Sequence, residues 1–388
     1  TGMESQNEVL LLNDPTIVFI RSLDLSILDV LAGMFVLFLT LLLNIIIKLA
    51  IKRQDTTQIS YEAVAYLPQN FKDIEGYNFP GYFLKFSSTN QRMHFLDMGD
   101  KSGKVVLCLH GVPFWSHSFR KIIPGLVSAG YRVIAPDLIG FGKSDKFVDY
   151  RAYSLDSQIW HLEVLIRHII LYSSEIFLVG HNWGALLGAI LVSRNPKRFS
   201  KFTIMNTNNL PDGELDLARR FHHDIYDFSR YLIMDSYFLL FRLYSFIFGS
   251  ILPPEILFFA MNPKYTKEDY KGFIAPFKNK NERAGIVSYP QLVPVYGNHV
   301  NAEHFALARR VLKYGWKKPT QIIFSEKASV PFFQRGDFIV GNRKDFFTQL
   351  IPHAVVAVPP VPGGHVIMYD NPKGVLKHLI PFLDDEDY

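Results

Sequence analysis

The chain has 388 residues, of which 48% are hydrophobic and 14% aromatic, and its formal net charge is +5. This length allows two domains or one large α/β domain with an insertion, and the apolar content is ample for a core. The charge is modest and no Lys/Arg run is interleaved with aromatic residues, which excludes a typical nucleic-acid-binding protein. Cys108 is the only cysteine and lies in an apolar run, so a disulfide framework is excluded and a buried thiol is expected.

The first predicted element is an apolar run over residues 27–47, whose length matches a helix that spans a bilayer. A cleaved signal peptide fits poorly because the run starts late and lacks a basic leader, and a buried soluble helix is the other alternative. Lys48, Lys52 and Arg53 follow the run, whereas acidic residues predominate before it. This asymmetry predicts a single-pass anchor with the large domain facing the cytosol, and it leaves the organelle open.

Beyond the anchor, strand-like runs alternate with helix-like runs, a pattern that predicts a parallel, doubly wound sheet. Strands are expected at residues 92–98, 105–109, 131–135, 176–179, 202–205 and 321–324. Helices are expected at residues 116–129, 155–172 and 185–192. The predicted parts are a tail with the anchor (1–53), a linker (54–90), the first part of a core (91–209), an inserted helical segment (210–309) and the second part of the core (310–388).

The segment Gly180-His181-Asn182-Trp183-Gly184 joins a strand-like run to a helix-like run, which is the setting of a nucleophile elbow. Glycine on both sides lets the backbone turn sharply and lets the helix pack closely. The middle residue, Asn182, is then presented over the end of the sheet. A carboxamide is a poor nucleophile, so this residue both indicates the fold and puts the activity in question.

The segment resembles Gly-His-Asp-Trp-Gly, the elbow of epoxide hydrolases and haloalkane dehalogenases in the α/β-hydrolase superfamily. Further segments are similar to these families in the same order: 110–113 (an oxyanion turn), 135–145 (a loop after a strand), 260–294 (the end of a cap) and 363–365 (a histidine loop). The resemblance runs from about residue 92 to residue 383. It implies an α/β-hydrolase fold with an inserted helical cap, in addition to the predicted N-terminal transmembrane helix.

The resemblance also implies a chemistry. In an ordinary member, the elbow carboxylate attacks an epoxide or halogen-bearing carbon, and a histidine held by a second carboxylate then activates water to hydrolyse the ester. Mapped by motif, Asn182 is the nucleophile position, His365 is the base, and the amides of Val112 and Trp183 are the oxyanion donors. Ala328 stands at the acid position. No metal or cofactor is implied.

The sequence departs from the family pattern at both carboxylates, because Asn182 and Ala328 cannot ionise. The acid position that some members use instead falls near Asn206, which is also neutral. Candidate substitutes are typical solvated loop carboxylates: Asp212, Glu326 and Asp337. A second donor to a halide, beside Trp183, is missing, because Val112 has an apolar side chain and the cap has no tryptophan. The cap tyrosines could protonate an epoxide oxygen, but the sequence does not select a pair among Tyr226, Tyr231, Tyr237, Tyr244, Tyr289 and Tyr296.

Two functions follow. The first is a membrane-bound hydrolase acting on a lipophilic epoxide or organohalide. The second is a catalytically silent relative kept as a binding or assembly subunit of a membrane complex. The expected partners are the lipid bilayer through residues 27–47, a lipophilic small molecule and other proteins of a membrane assembly, but not a nucleic acid. The apolar stretch 232–252 either forms the core of the cap or dips into the bilayer.

Overall fold

The computed structural model describes residues 59–169, 175–211, 242, 246, 253–262, 264–294, 299–325 and 343–386. The predicted span at 27–47 and the acid position, Ala328, both lie outside these residues, so the anchor and the acid position stay predictions. Within the described ranges, none of the helices combines the length and the apolar character that crossing a membrane requires.

Ten strands lie within the described residues. They are β1 (Ala63–Val64), β2 (Gly81–Lys85), β3 (Arg92–Met98), β4 (Val105–Leu109), β5 (Arg132–Pro136), β6 (Lys146–Phe147), β7 (Ile176–His181), β8 (Phe199–Met205), β9 (Thr320–Ile323) and β10 (Val355–Val356). Eight of them form one sheet in the order β10-β9-β8-β7-β4-β5-β3-β2. The strands from β10 to β5 are parallel, whereas β3 and β2 are antiparallel additions at one edge. β1 and β6 form a separate antiparallel pair.

The described α-helices alternate with the parallel strands, except for a group between β8 and β9. They are α1 (Ile123–Ser128), α2 (Leu155–Ile169), α3 (Trp183–Arg194), α4 (Pro254–Met261), α5 (Lys267–Ile274), α6 (Ala284–Ser288), α7 (Ala302–Arg310), α8 (Arg343–Leu350), α9 (Ile367–Asp370) and α10 (Pro372–Asp384). Helices α4 to α7 occupy the part of the sequence where an inserted cap was predicted.

The centre of the sheet is buried throughout. Every residue of β4 and β7 is buried, as expected for strands of a parallel sheet that is covered on both faces. Cys108 in β4 is fully buried, as predicted, and burial raises the pKa of its thiol. The predicted doubly wound, mostly parallel sheet is therefore confirmed.

One prediction of local structure was wrong. Residues 116–129 were expected to form one helix, but they form a 3-10 turn at Ser116–Phe119 followed by α1. Pro124 accounts for the break, because proline is tolerated only in the first turn of a helix. The segment 54–90, which was expected to link the anchor to the core and to cover part of it, contains β2. This strand pairs with β3 from Gly81 opposite Leu96 to Lys85 opposite Arg92.

Candidate functional site

The turn between β7 and α3 has the geometry of a nucleophile elbow. Asn182 stands between the strand and the helix with φ 52° and ψ −121°, a backbone region that residues other than glycine seldom adopt. The flanking glycines are needed for close packing, because a Cβ at Gly180 would lie 2.5 Å from the Ala185 Cα and one at Gly184 only 2.0 Å from the Leu109 carbonyl oxygen. The helix is thus pressed against β7 and β4, which fixes Asn182 at the carboxyl end of the sheet.

The predicted oxyanion turn lies directly beside Asn182. The backbone N–H of Val112 donates to the Asn182 Oδ1 at 3.2 Å. A Cβ at Gly111 would lie 2.5 Å from the Asn182 Cβ, so only glycine allows this approach. Trp183 is the first residue of α3, and its N–H therefore has no acceptor within the helix. Both predicted donors adjoin the side chain or backbone of residue 182.

His365 lies next to the elbow and is 6% exposed. Its carbonyl oxygen is 2.8 Å from the Nε2 of His181, the residue before Asn182, and the two imidazole rings are 5.0 Å apart. Burial, together with the charge of His365, holds the pKa of His181 well below its ordinary value. The neutral His181 ring must carry its hydrogen on Nε2 to donate to that carbonyl. The structure therefore places the predicted base beside His181, the residue that precedes the predicted nucleophile position.

Asn206 follows β8 and holds the loop that carries His365 in place through hydrogen bonds. It is fully buried with φ 34°, and its Oδ1 accepts from the Ser325 N–H at 2.9 Å. Its Nδ2 donates to the Ser325 Oγ at 3.0 Å, the Gly364 carbonyl at 3.1 Å and the His365 carbonyl at 2.9 Å. At the position where some family members place the acid, the Asn206 side chain therefore forms hydrogen bonds mainly with backbone groups.

Helix α5 connects two of the loops that form the site. It begins with a capping box in which Thr266 and Asp269 exchange hydrogen bonds. Asp269 also accepts from the Tyr369 hydroxyl and lies 3.5 Å from the Arg120 Nη2. Arg120 follows the oxyanion turn and Tyr369 follows the histidine loop. The Thr-x-x-Asp spacing of the capping box is readable in the sequence, but the contacts of Asp269 with Arg120 and Tyr369 are not predicted by it.

Three phenylalanines form an apolar wall at the site. Phe114 of the oxyanion turn lies between Phe258 of α4, at 5.8 Å between ring centroids, and Phe273 of α5, at 5.5 Å. All three side chains are fully buried. The Phe114 ring is 6.3 Å from that of His365. The three rings therefore form a closed apolar cluster next to the His365 ring.

Tyr289 is the one predicted cap tyrosine among the described residues. Its ring packs edge-on against Trp183 at 5.0 Å, and it is fully buried. Burial, reinforced by Tyr153, raises the pKa of the Tyr289 hydroxyl well above its ordinary value, so the group stays protonated. The other five tyrosines lie outside the described residues.

The buried carboxylate of Asp137 stabilises the segment that follows the oxyanion turn. Asp137 accepts from the Ser116 N–H at 2.8 Å and the Lys143 N–H at 2.9 Å, and it lies 2.8 Å from the His94 Nδ1. Burial by itself would raise the pKa of Asp137, but the charge and hydrogen bond of His94 lower it well below its usual range. All three partners are structural, which assigns Asp137 to the framework.

Comparison with known proteins agrees with this geometry. Residues 104–372 match the family model described as alpha/beta hydrolase fold. The haloalkane dehalogenase of Psychrobacter cryohalolentis is 30% identical over 324 residues, covering 81% of this chain and 96% of that protein. That of Mycobacterium marinum is 29% identical over 277 residues, covering 69% and 83%. The solved structure of a haloalkane dehalogenase from Paraglaciecola agarilytica NO2 shares the fold, with a TM-score of 0.61 and 24% identity over 83% of this chain and 96% of that one. The chain belongs to the α/β-hydrolase family, and its homologues are haloalkane dehalogenase-like.

Proposed function

We propose that this protein binds a lipophilic small molecule at the family's site without forming the alkyl ester that its relatives' chemistry requires. One observation carries the proposal: the elbow residue is Asn182, and its Oδ1 accepts a hydrogen bond from the Val112 N–H. A carboxamide has no anionic oxygen, so it cannot readily displace a halide or open an epoxide.

The rest of the site would serve only later steps. His365 would activate water against the ester carbon, and the amides of Val112 and Trp183 would stabilise the oxyanion that forms. Neither step has a substrate when no ester is made. Loss of one member of a catalytic triad typically costs on the order of 10⁴-fold in rate. The nucleophile acts in the first step, so its loss also prevents every later step.

Intact-mass measurement tests the proposal. The native chain and Asn182→Asp are incubated with a panel of haloalkanes and epoxides, and peptide mapping locates any adduct. We expect no adduct on the native chain and a trapped alkyl ester at residue 182 of the variant. The double variant Asn182→Asp with Ala328→Asp is expected to hydrolyse that ester, because the added carboxylate would orient His365. Turnover of any panel member by the native chain would refute the proposal.

A second candidate is the silent relative that serves as a binding or assembly subunit. Asn206 favours it, because the amide at the alternative acid position is fully committed to Ser325, Gly364 and His365. This candidate becomes the better one if Asn182→Asp forms no adduct with any haloalkane or epoxide. In that case the pocket itself no longer accepts the family's substrates.

We also propose that residues 27–47 anchor the protein in a bilayer, with the hydrolase part on the cytosolic side. The support is the length of the apolar run and the basic residues that follow it. Protease treatment of sealed vesicles with a known orientation tests this topology. The expected result is digestion of the large domain from the cytosolic side, and protection of that domain would reverse the assignment.

A further inference from the structure

We infer that a basic face at the end of the sheet opposite the elbow docks on an anionic bilayer. The face consists of exposed or partly exposed cations from two segments: Lys197, Arg198, Arg310, Lys313 and Lys317. Their combined charge of +5 equals the formal net charge of the whole chain, so the remaining residues balance to zero. The choice of a bilayer as the partner rests on the proposed anchor at 27–47, whereas the face itself does not depend on it.

Lys318 holds the two segments of the basic face together. Its ammonium group donates to the Pro196 carbonyl at 2.8 Å and to the Phe199 carbonyl at 2.6 Å. Pro196 begins the 3-10 turn after α3, and Phe199 begins β8. Segments that are 122 residues apart at this contact therefore lie side by side. Because β7 and β8 are parallel, the start of β8 lies at the opposite end of the strands from Asn182, and docking there leaves the elbow uncovered.

A π-helical turn presents part of the second segment. Helix α7 ends at Arg310 and continues as a wider π turn over Val311–Gly315. Lys313, Tyr314 and Gly315 are three consecutive exposed residues, and Tyr314 is 67% exposed. The Lys313 Nζ lies 5.3 Å from the centroid of the Tyr314 ring. Turns of this kind often occur at functional sites, and this one makes an aromatic ring protrude among cations.

Most of the positive charge of the basic face is not neutralised within the chain. Four of its five cations form no ion pair within the described part of the chain: Lys197, Arg310, Lys313 and Lys317. At its margin, Glu163 is already paired with Arg194 at 3.2 Å. Burial lowers the pKa of Lys318, and the charge of Glu175 opposes that effect, so one carboxylate lies near the junction. The face therefore suits an anionic partner.

A bilayer fits the basic face better than a nucleic acid does. Residues 309–318 are a basic run that contains Tyr314 and Trp316, and it was missed in the sequence. Trp316 is 1% exposed and donates its indole N–H to the Thr320 hydroxyl, so Tyr314 is the ring that this run offers. Single-stranded nucleic acids are held by several stacking rings, whereas tyrosine is enriched at membrane interfaces. Polybasic surfaces bind the anionic cytoplasmic leaflet, the side that the charges around 27–47 predict.

A fluorescent probe on the full chain tests the inference. Gly315→Cys is labelled with an environment-sensitive dye, since a Cβ there would meet only the Val311 side chain, at 3.6 Å, and Cys108 is fully buried. The labelled chain is reconstituted into vesicles of phosphatidylcholine, alone or mixed with phosphatidylserine. We expect a blue shift of the probe only with phosphatidylserine. Raising the salt from about 0.1 M to about 1 M should reverse it, because the screening length falls from about 10 Å to about 3 Å.

Two triple variants in the labelled background separate the basic face from charge in general. The test variant removes three cations of the face: Arg310→Gln, Lys313→Gln and Lys317→Gln. Each cation near an anionic surface strengthens binding about fivefold, so this variant should dock on the order of 100-fold more weakly and lose the shift. The matched control removes three exposed lysines of the predicted cap and should keep the shift: Lys264→Gln, Lys267→Gln and Lys278→Gln. Equal thermal unfolding of the two variants would show that both are folded.

Three outcomes overturn the inference. They are the absence of a shift with phosphatidylserine, an equal loss of the shift in both triple variants, and a shift with duplex or single-stranded DNA but none with vesicles. Flotation of the unlabelled chain with phosphatidylcholine vesicles reports on the anchor separately. A chain that floats only with phosphatidylserine, and no longer does so in the test variant, would contradict the anchor and support the basic face.

Discussion

The substitution Asn206→Asp tests the loop geometry around His365. It keeps the shape of the side chain but replaces the NH₂ group with an oxygen. That oxygen would face the Gly364 carbonyl at 3.1 Å and the His365 carbonyl at 2.9 Å, with only the Ser325 hydroxyl able to turn and donate to it. The site is fully buried, so water cannot supply the missing donors. We therefore expect Asn206→Asp to be destabilising, and more so as the carboxyl ionises.

The size of the effect follows from the bonds that change. Two N–H···O bonds are lost, at about 1 kcal/mol each, and a protonated carboxyl recovers about one of them at acidic pH. The His365 carbonyl keeps a donor in the His181 Nε2, whereas the Gly364 carbonyl keeps the Ser325 Oγ only while that hydroxyl does not turn to the new carboxyl. Burial among carbonyl oxygens raises the pKa of the introduced carboxyl in the folded state. A rise of about 2 pKa units lowers the free energy of unfolding by roughly 3 kcal/mol at pH values above both the folded and the unfolded pKa.

The sign of the pH dependence follows from linkage. The folded pKa lies above the unfolded one, about 3.9, so the folded state holds its proton longer and stability falls as pH rises through this interval. Urea unfolding of the native chain, Asn206→Asp and Asn206→Ala near pH 4.5 and near pH 8 measures this dependence. The deficit of Asn206→Asp in the free energy of unfolding should grow from about 2 kcal/mol to about 4. The alanine variant has no ionisable group, so its deficit should not change with pH. An equal deficit of Asn206→Asp at both pH values would show that Nδ2 does not face the carbonyls.

Two further predictions concern packing and a buried charge. Gly184→Ala should lower stability by about 1–3 kcal/mol in thermal unfolding, because the new Cβ would meet backbone; Gly315→Ala, whose Cβ would lie 3.6 Å from Val311, should have little effect and serves as the control. Burial lowers the pKa of Lys146 from 10.5 to about 8, so the native chain should gain up to about 3 kcal/mol as pH rises through that interval. Lys146→Met should lack this rise in urea unfolding, and an unchanged rise would assign it to another group.

The elbow could be predicted from sequence because its residues are dictated by local backbone geometry. A Cβ at either Gly180 or Gly184 would collide with backbone, so the spacing of the two glycines predicts the sharp turn between them. The same holds for Gly111, which lies against Asn182. His365 was found by the Gly-Gly before it, again a local signal. These positions identify the fold and the site before any tertiary contact is known.

The bonds of Asn206 could not be predicted in the same way. The sequence located this residue as an alternative acid position, but its partners Gly364 and His365 are 158 and 159 residues away along the chain. No local pattern encodes such a pairing. The junction of Asp269 with Tyr369 is equally distant, at 100 residues, and was missed for the same reason.

The edge of the sheet was missed because its sequence lacks a clear signal. In β2, four of the five side chains are exposed and the fifth is only partly buried. An edge strand of this kind shows no alternation of apolar and polar residues, which is the pattern that predicts a half-buried strand. Its place in the sheet comes from backbone pairing with β3, which does not depend on side-chain type.

The two amides at carboxylate positions differ in what surrounds them, and this decides how the site could regain its chemistry. Asn182 is partly exposed and one side of its carboxamide has no partner among the described residues, so an aspartate there fits without disturbing the fold. Asn206 is buried with both polar atoms engaged, so an aspartate there would lose the bonds that hold His365. An aspartate at Asn206 would therefore cost stability. We propose that a carboxylate be restored first at residue 182 and then at Ala328, the acid position that the family resemblance implies.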